Sequence, residues 1–279
     1  MAFLTEQEPQ YGAALPVAPG VRRIVACNPS VMTYHGTNTY LIDGPEGVLV
    51  LDPGPDSADH VAAIVAATHG QVAKILLTHR HADHLGALQA LKVAAAASTY
   101  AFAFHSDVFI PDHGLHDGDI VDGLRAIHTP GHAADHICFA READGLLFSG
   151  DHVMSWASSV VSPPGGDMAA YCTSLEKLLT RNDKMFLPGH GPALPEPQAF
   201  VKKLLLHRRA REEAIWRSLH EGPKRVSDLV DRLYHKQHSR LYVAAMRNVT
   251  AHLIKLQTEG RVRMATDELW VISTDYKVG

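Results

Sequence analysis

The stretch Thr78-His79-Arg80-His81-Ala82-Asp83-His84 constrains the fold of this chain more than any other. It follows an apolar run of strand length, 72–77, and precedes Leu85-Gly86-Ala87-Leu88-Gln89-Ala90-Leu91, which reads as the start of a helix. The motif is therefore expected on a strand-to-helix turn. His79 and His81, two residues apart, then point the same way, while Asp83 and His84 swing to a neighbouring position as the helix begins. Imidazole nitrogen and carboxylate oxygen are donors that zinc favours. Four such side chains in six residues can serve two adjacent ions, yet they are too few to complete two sites, so further ligands must come from downstream.

Three Gly-containing turns offer them. His132 in Pro130-Gly131-His132, Asp151 in Ser149-Gly150-Asp151 and His190 in Pro188-Gly189-His190-Gly191 each follow a strand-like run, at 124–128, 146–149 and 184–187. Glycine there lets the backbone turn sharply and deliver a side chain to a common edge. With 19 His in the chain, a lone His in a turn is more often solvated or hydrogen-bonded than a ligand. The recurrence in equivalent settings is what carries the expectation.

This constellation, in this order, resembles the metallo-β-lactamase superfamily. The resemblance covers most of the chain, through 36–42, 50–54, 78–84, 129–132, 148–151 and 187–192. It implies an α/β fold, an αββα sandwich, that binds two zinc ions. His79, His81 and His132 would hold the first ion and Asp83, His84 and His190 the second, with Asp151 bridging. Asp83 would also act catalytically, orienting the nucleophile or relaying a proton to the leaving atom. Asp52 ends an apolar strand beside a Gly turn and looks like the carboxylate that orients the site; a turn-capping Asp is the competing reading. Asp135 and His136 begin the next strand and either support a ligand, touch substrate or serve the turn itself.

The implied chemistry is hydrolysis by a hydroxide bridging the two ions, because a metal pair brings the pKa of water from ~15.7 toward ~7. The superfamily core alone does not choose the bond. Asp151 argues against a true β-lactamase, since that branch typically lacks a carboxylate there, and His81, where flavodiiron oxidoreductases carry Glu, argues against a di-iron redox role. The expected substrate is a small ester or thioester. A single-strand-specific endoribonuclease or other phosphodiesterase is the alternative, and a nucleic-acid-binding regulator with a structural metal site is a third reading of another class.

Elsewhere the chain is less specific. Residues 1–20 carry Glu6 and Glu8 with no basic start and no apolar h-region, so no secretory signal or membrane anchor is evident and the expected compartment is the cytoplasm. Cys27, Cys138 and Cys172 are odd in number and scattered, against a disulfide framework or a Cys-type zinc site. Strand-like runs over 21–51 read as a meander, and Ser57 caps a helix ended by Gly70. The polar stretch 106–122 reads as a surface loop. His152 should face away from the metals if strand geometry continues past Asp151. The irregular segment 153–167, with Met154 and Trp156, is expected to wall the substrate cleft ahead of a helix over 168–181.

Charge divides the chain near residue 200. Residues 1–200 hold 10 Lys and Arg against 21 Asp and Glu, net −11; residues 201–279 hold 16 against 9, net +7. We therefore expect a catalytic domain over 1–200 and a small domain over 201–279. Helices at 196–221, 226–235 and 240–259, followed by a hairpin of 261–264 with 269–272, make a winged helix. This helix-rich end, with His207-Arg208-Arg209-Ala210-Arg211-Glu212, resembles the branch containing the lactamase-like mitochondrial endoribonuclease and bacterial relatives. Arg240, Arg247 and Lys255 fall near one helical face, which suits RNA, while solvation, packing against an acidic surface or a homodimer contact explains the same charge.

Overall fold

Alternate residues of two neighbouring strands, β3 (Asn38–Gly44) and β4 (Gly47–Leu51), bury in two different cores, and this sets the layering. Tyr40, Ile42, Leu49 and Leu51 pack with Leu124, Ala126, Ile137, Phe139, Leu146 and Phe148. Leu41 and Val50 point the other way, into a cluster with Ile64, Leu88 and Leu91. A strand covered on both faces reads as a continuous apolar run, as Tyr40-Leu41-Ile42 and Val48-Leu49-Val50-Leu51 do here. Each such side chain, fully buried, contributes about 1.5–3 kcal/mol relative to exposure.

The computed structural model describes residues 2–104, 108–234, 239–265 and 268–273. Seven strands form the first sheet in sequence order: β1 (Leu15–Ala18), β2 (Val21–Val25), β3, β4, β5 (Val72–Leu76), β6 (Ser98–Phe102) and β7 (His113–Leu115). Its outer face carries α1 (Ala58–Ala67) and α3 (Leu88–Ala95), with the short α2 (Ala82–Leu85) between β5 and α3. The second sheet holds β8 (Ile120–Val121), β9 (Leu124–His128), β10 (Ile137–Arg141), β11 (Leu146–Gly150), β12 (Met185–Pro188) and β13 (Leu194–Pro195), running in space from β13 to β8. As anticipated, the Ser57 side chain caps α1, accepting from the His60 amide.

The described chain forms two compact units. One comprises Met1–Thr129, Asp135–Ser159 and Arg181–Ala199; the other comprises Pro130–Ala134, Val160–Thr180 and Phe200–Gly279. The second unit contains α4 (Met168–Leu179), most of α5 (Pro197–His220), α6 (Val226–Leu233), α7 (Ser239–Thr258) and the hairpin β14 (Val262–Met264) with β15 (Trp270–Ile272). Ile215, Leu219, Leu229, Val249, Leu253, Leu256 and Trp270 make its core, the packing expected of a winged helix. No helix among the described residues is long and apolar enough to cross a membrane.

The structure departs from expectation in two places. The polar stretch 106–122 is not wholly loop: β7 and β8 extend the two sheets there because Leu115 and Val121 turn inward. The basic face is also less continuous than its spacing suggests, since Lys255 is paired with Glu212 and Glu259 while Arg247 is exposed. Asp107, His235, Thr266 and Asp267 lie outside the described residues, as does the Arg240 side chain.

Candidate metal centre

Two parallel strand pairs deliver the site. Parallel neighbours end side by side, so whatever follows each strand meets the residue that follows its partner. β4 pairs with β5, which brings Asp52 to Thr78; β11 pairs with β12, which brings Asp151 beside the turn carrying His190.

Asp52 is 2% exposed and its carboxylate is fully engaged. Oδ1 accepts from the Thr78 amide at 2.8 Å, and Oδ2 accepts from Thr78 Oγ1 at 2.8 Å and from His84 Nδ1 at 2.9 Å. A carboxylate oxygen accepts here, so the neutral form of His84, the form able to bind a metal, carries its proton on Nδ1 and its lone pair on Nε2. The Thr78 hydroxyl, having given its hydrogen to Asp52, can only accept from His79 Nδ1 at 3.0 Å, which fixes the same tautomer on His79. Thr78 opens the motif stretch, but nothing local to it announces this bracing role, which appears only in its contacts with Asp52 and His79.

The second group gathers around His84. Its Nε2 lies 3.3 Å from His190 Nε2, 3.4 Å from Asp151 Oδ1 and 3.7 Å from Asp83 Oδ2. His190 Nε2 is in turn 3.2 Å from Asp83 Oδ2 and 3.5 Å from Asp151 Oδ1. His190 Nδ1 donates to the Gly36 carbonyl at 3.1 Å, so its lone pair also sits on Nε2. Two imidazole lone pairs aimed at each other repel unless a cation, a proton or a metal ion, lies between them. The donor atoms of Asp83, His84 and His190 fall within 4.8 Å of one another, as do those of His79, His84 and Asp151, so the residues fit a divalent ion of the kind that takes nitrogen and carboxylate oxygen.

The electrostatics agree. Burial alone would pull His84 down, but Asp151, Asp52 and Asp83 outweigh it and hold the imidazole well above its usual range. Burial likewise opposes protonation of His190, and Asp151 and Asp83 push it up to about 9. Burial would raise both acids, yet His190 and His84 hold Asp151 well below the carboxylate range, and His84 and His190 bring Asp83 to about 2. A pocket that retains protons on imidazole this strongly is a pocket that attracts cations. Gly189 makes the approach feasible: a Cβ there would lie 2.5 Å from Asp151 Oδ1 and 2.7 Å from His84 Cε1.

His79 Nε2 and His81 Nδ1 converge at 2.9 Å, the paired orientation anticipated from their spacing. His132 lies on the 130–134 segment of the second unit, where Nδ1 donates to Val160 O at 2.7 Å. His136 is fully buried and its Nε2 accepts from the Asp151 amide at 3.1 Å, so it braces Asp151. Its neighbour Asp135 pairs with Arg80 at 2.8 Å inside the motif turn. His152 is buried with its ring 5.9 Å from that of His136. Of the two residues expected to wall the cleft, Met154 is buried, while Trp156 stacks on Tyr34 with ring centroids 5.0 Å apart.

Comparison with known proteins matches this geometry to a family. Residues 32–190 match the metallo-beta-lactamase superfamily, and residues 226–270 match the beta-lactamase associated winged helix domain. A beta-lactamase-like protein 2 homolog of Drosophila melanogaster is 31% identical over 277 residues, covering 90% of this chain and 93% of that one. An atrochrysone carboxyl ACP thioesterase of Aspergillus chevalieri is 32% identical over 239 residues, covering 79% and 74%. Among solved structures, a beta-lactamase domain protein from Burkholderia ambifaria superposes with a TM-score of 0.83 at 22% identity, covering 96% of this chain and 95% of that one. The chain belongs to the metallo-β-lactamase superfamily and is a hydrolase of that fold with a winged-helix domain in its C-terminal part.

Proposed function

We propose that the protein is a two-zinc hydrolase acting on a thioester or a related small ester. The observation that carries this reading is the convergence of Asp83, His84, His190 and Asp151 with the imidazole tautomers already fixed by Asp52 and the Gly36 carbonyl. His79, His81 and His132 would hold one ion, Asp83, His84 and His190 the other, and Asp151 would be shared between them. Bound there, the ions supply Lewis acidity and a lowered pKa for water. Of the carboxylates near the imidazoles, Asp83 is the most open, its side chain 30% exposed against 8% for Asp151 and 3% for Asp52. His84 and His190 keep it ionised, so its carboxylate would accept the proton that the attacking water loses and return it to the leaving sulfur or oxygen.

The thioester reading draws on the relative that bears that activity in its name. Against RNA, three of the basic side chains in the C-terminal unit are already engaged within it, Arg232 with Glu221, Arg217 with Glu213, and Lys255 with Glu212 and Glu259. The proposal is of a cytoplasmic enzyme with a small-molecule substrate, its catalytic domain at 1–200 and its winged helix at 201–279.

The test is metal content measured alongside a panel of p-nitrophenyl esters, thioesters, lactones, phosphodiesters and single-stranded RNA. Chelator-sensitive turnover of a thioester or ester, lost in His81→Ala without a change in circular dichroism, is the expected result. Cleavage of RNA in preference to esters, or salt-sensitive RNA binding without any turnover, would overturn it.

A further inference from the structure

The turn that carries His190 is held by side chains to which the chemistry above gives no role. Asn38 Nδ2 donates to Pro188 O at 2.8 Å and to Gly191 O at 2.9 Å, and the Asn38 amide donates to Gly189 O at 2.7 Å. Tyr40, two residues on and so on the same face of β3, donates its hydroxyl to Pro188 O at 2.8 Å. Thr37 forms a bridge with His190 itself, and Arg23 Nη1 reaches Gly191 O at 3.1 Å.

The carbonyls at 188, 189 and 191 are thus all satisfied from a short stretch of β3 and its lead-in, supplemented by Arg23. The arrangement answers a physical need. The turn leaves the second sheet after β12 while still buried, so its carbonyls fall beyond the β11–β12 ladder and would be costly to strand. Asn38 is 1% exposed and Tyr40 2%, so neither can touch substrate. Asn38 Oδ1 has no hydrogen-bond partner, which shows that the amide is used here for its two N–H donors.

We propose that Asn38 and Tyr40 are positioning residues for one metal site: by pinning the backbone of 188–191 they hold His190 Nε2 at its 3.3 Å separation from His84 Nε2. This rests on the two-metal reading. His79 and His81 sit on a different turn, which neither residue bonds, so the effect falls on one site and spares the other. Partners beyond the ligands themselves commonly change metal affinity ~10–100-fold.

The test titrates the metal-free protein with zinc chloride against a chromophoric chelator, for wild type, Tyr40→Phe, Asn38→Ala and Asn38→Asp. The wild type is expected to show two binding steps. Tyr40→Phe, which removes only a hydroxyl and keeps the ring, should weaken one step about tenfold and leave the other within about twofold. Asn38→Asp should do worse than Asn38→Ala, because a carboxylate facing two carbonyls repels them instead of donating. If the Asn38 variants fail to fold, Tyr40→Phe decides alone.

A residue that merely packs would lower the melting temperature of the metal-free protein and weaken both steps together or neither. Either pattern refutes the inference while leaving the two-metal reading intact. Fewer than two ions on the wild type refutes that reading, and the inference with it.

Discussion

Asp52→Asn removes a charge without changing shape, and the geometry says what must follow. Asp52 Oδ1 accepts from the Thr78 amide, and Oδ2 accepts from Thr78 Oγ1 and His84 Nδ1. An amide has one acceptor oxygen. With that oxygen kept opposite the Thr78 amide, the new NH2 faces His84 Nδ1 and donates to it. The imidazole proton must then move to Nε2, the atom 3.3 Å from His190 Nε2 and 3.4 Å from Asp151 Oδ1. A protonated Nε2 cannot ligate. Recovering the ligating tautomer means forfeiting that hydrogen bond and facing N–H against N–H, a penalty of about 1.5–3 kcal/mol if the lost bond is of the charged-group kind. At about 1.4 kcal/mol per decade this is a loss of roughly 10–100-fold in metal affinity. Chelator competition measures the affinity, and nitrogen-15 shifts of the His84 ring report its tautomer. Metal affinity within twofold of wild type, or a His84 that keeps its proton on Nδ1 in the variant, would refute the tautomer argument.

Three further outcomes follow from the same coordinates. His190, raised from 6.5 to about 9, stabilises the metal-free protein fully below its unfolded value, and that stability is lost as pH rises through 9; urea unfolding should therefore weaken from pH 6.5 to 9, and zinc affinity should climb over the same range as the proton is displaced. A flat profile in both would contradict it. Arg80→Ala strands Asp135, their 2.8 Å pair being only 7% and 11% exposed, and should cost about 3–5 kcal/mol in chemical denaturation, with a smaller loss when Asp135 is replaced by Asn as well. Gly191→Ala sets a Cβ 2.5 Å from Trp156 Cδ1 at a residue with φ of +80°; it should displace the indole from Tyr34, cost about 1–3 kcal/mol and shift tryptophan emission, and wild-type emission with unchanged stability would count against it.

Much of this protein is legible in its residues taken one stretch at a time. The donor set at 79–84 and the turns at 132, 151 and 190 are fixed by side-chain chemistry and by glycine, both of which act locally. The capped helix α1 and the helices of the C-terminal unit likewise follow from caps and periodicity, which need no distant partner. Strands β7 and β8 were hidden because two inward apolar residues among acids and histidines give too short a pattern to read.

What only the tertiary structure decided is which atom of each group is used. The sequence names His84 and His190 as candidates, but the choice of Nε2 in both depends on Asp52 and on the Gly36 carbonyl reaching the opposite nitrogen. Asn38 meets Pro188 across 150 positions of chain, and nothing local to either residue announces the meeting. The assignment of 130–134 and 160–180 to the same unit as the C-terminal helices is equally invisible to composition. Ligand identity is a property of residues, whereas tautomer, register and the satisfaction of buried carbonyls are properties of pairs, and pairs exist only once the chain has folded.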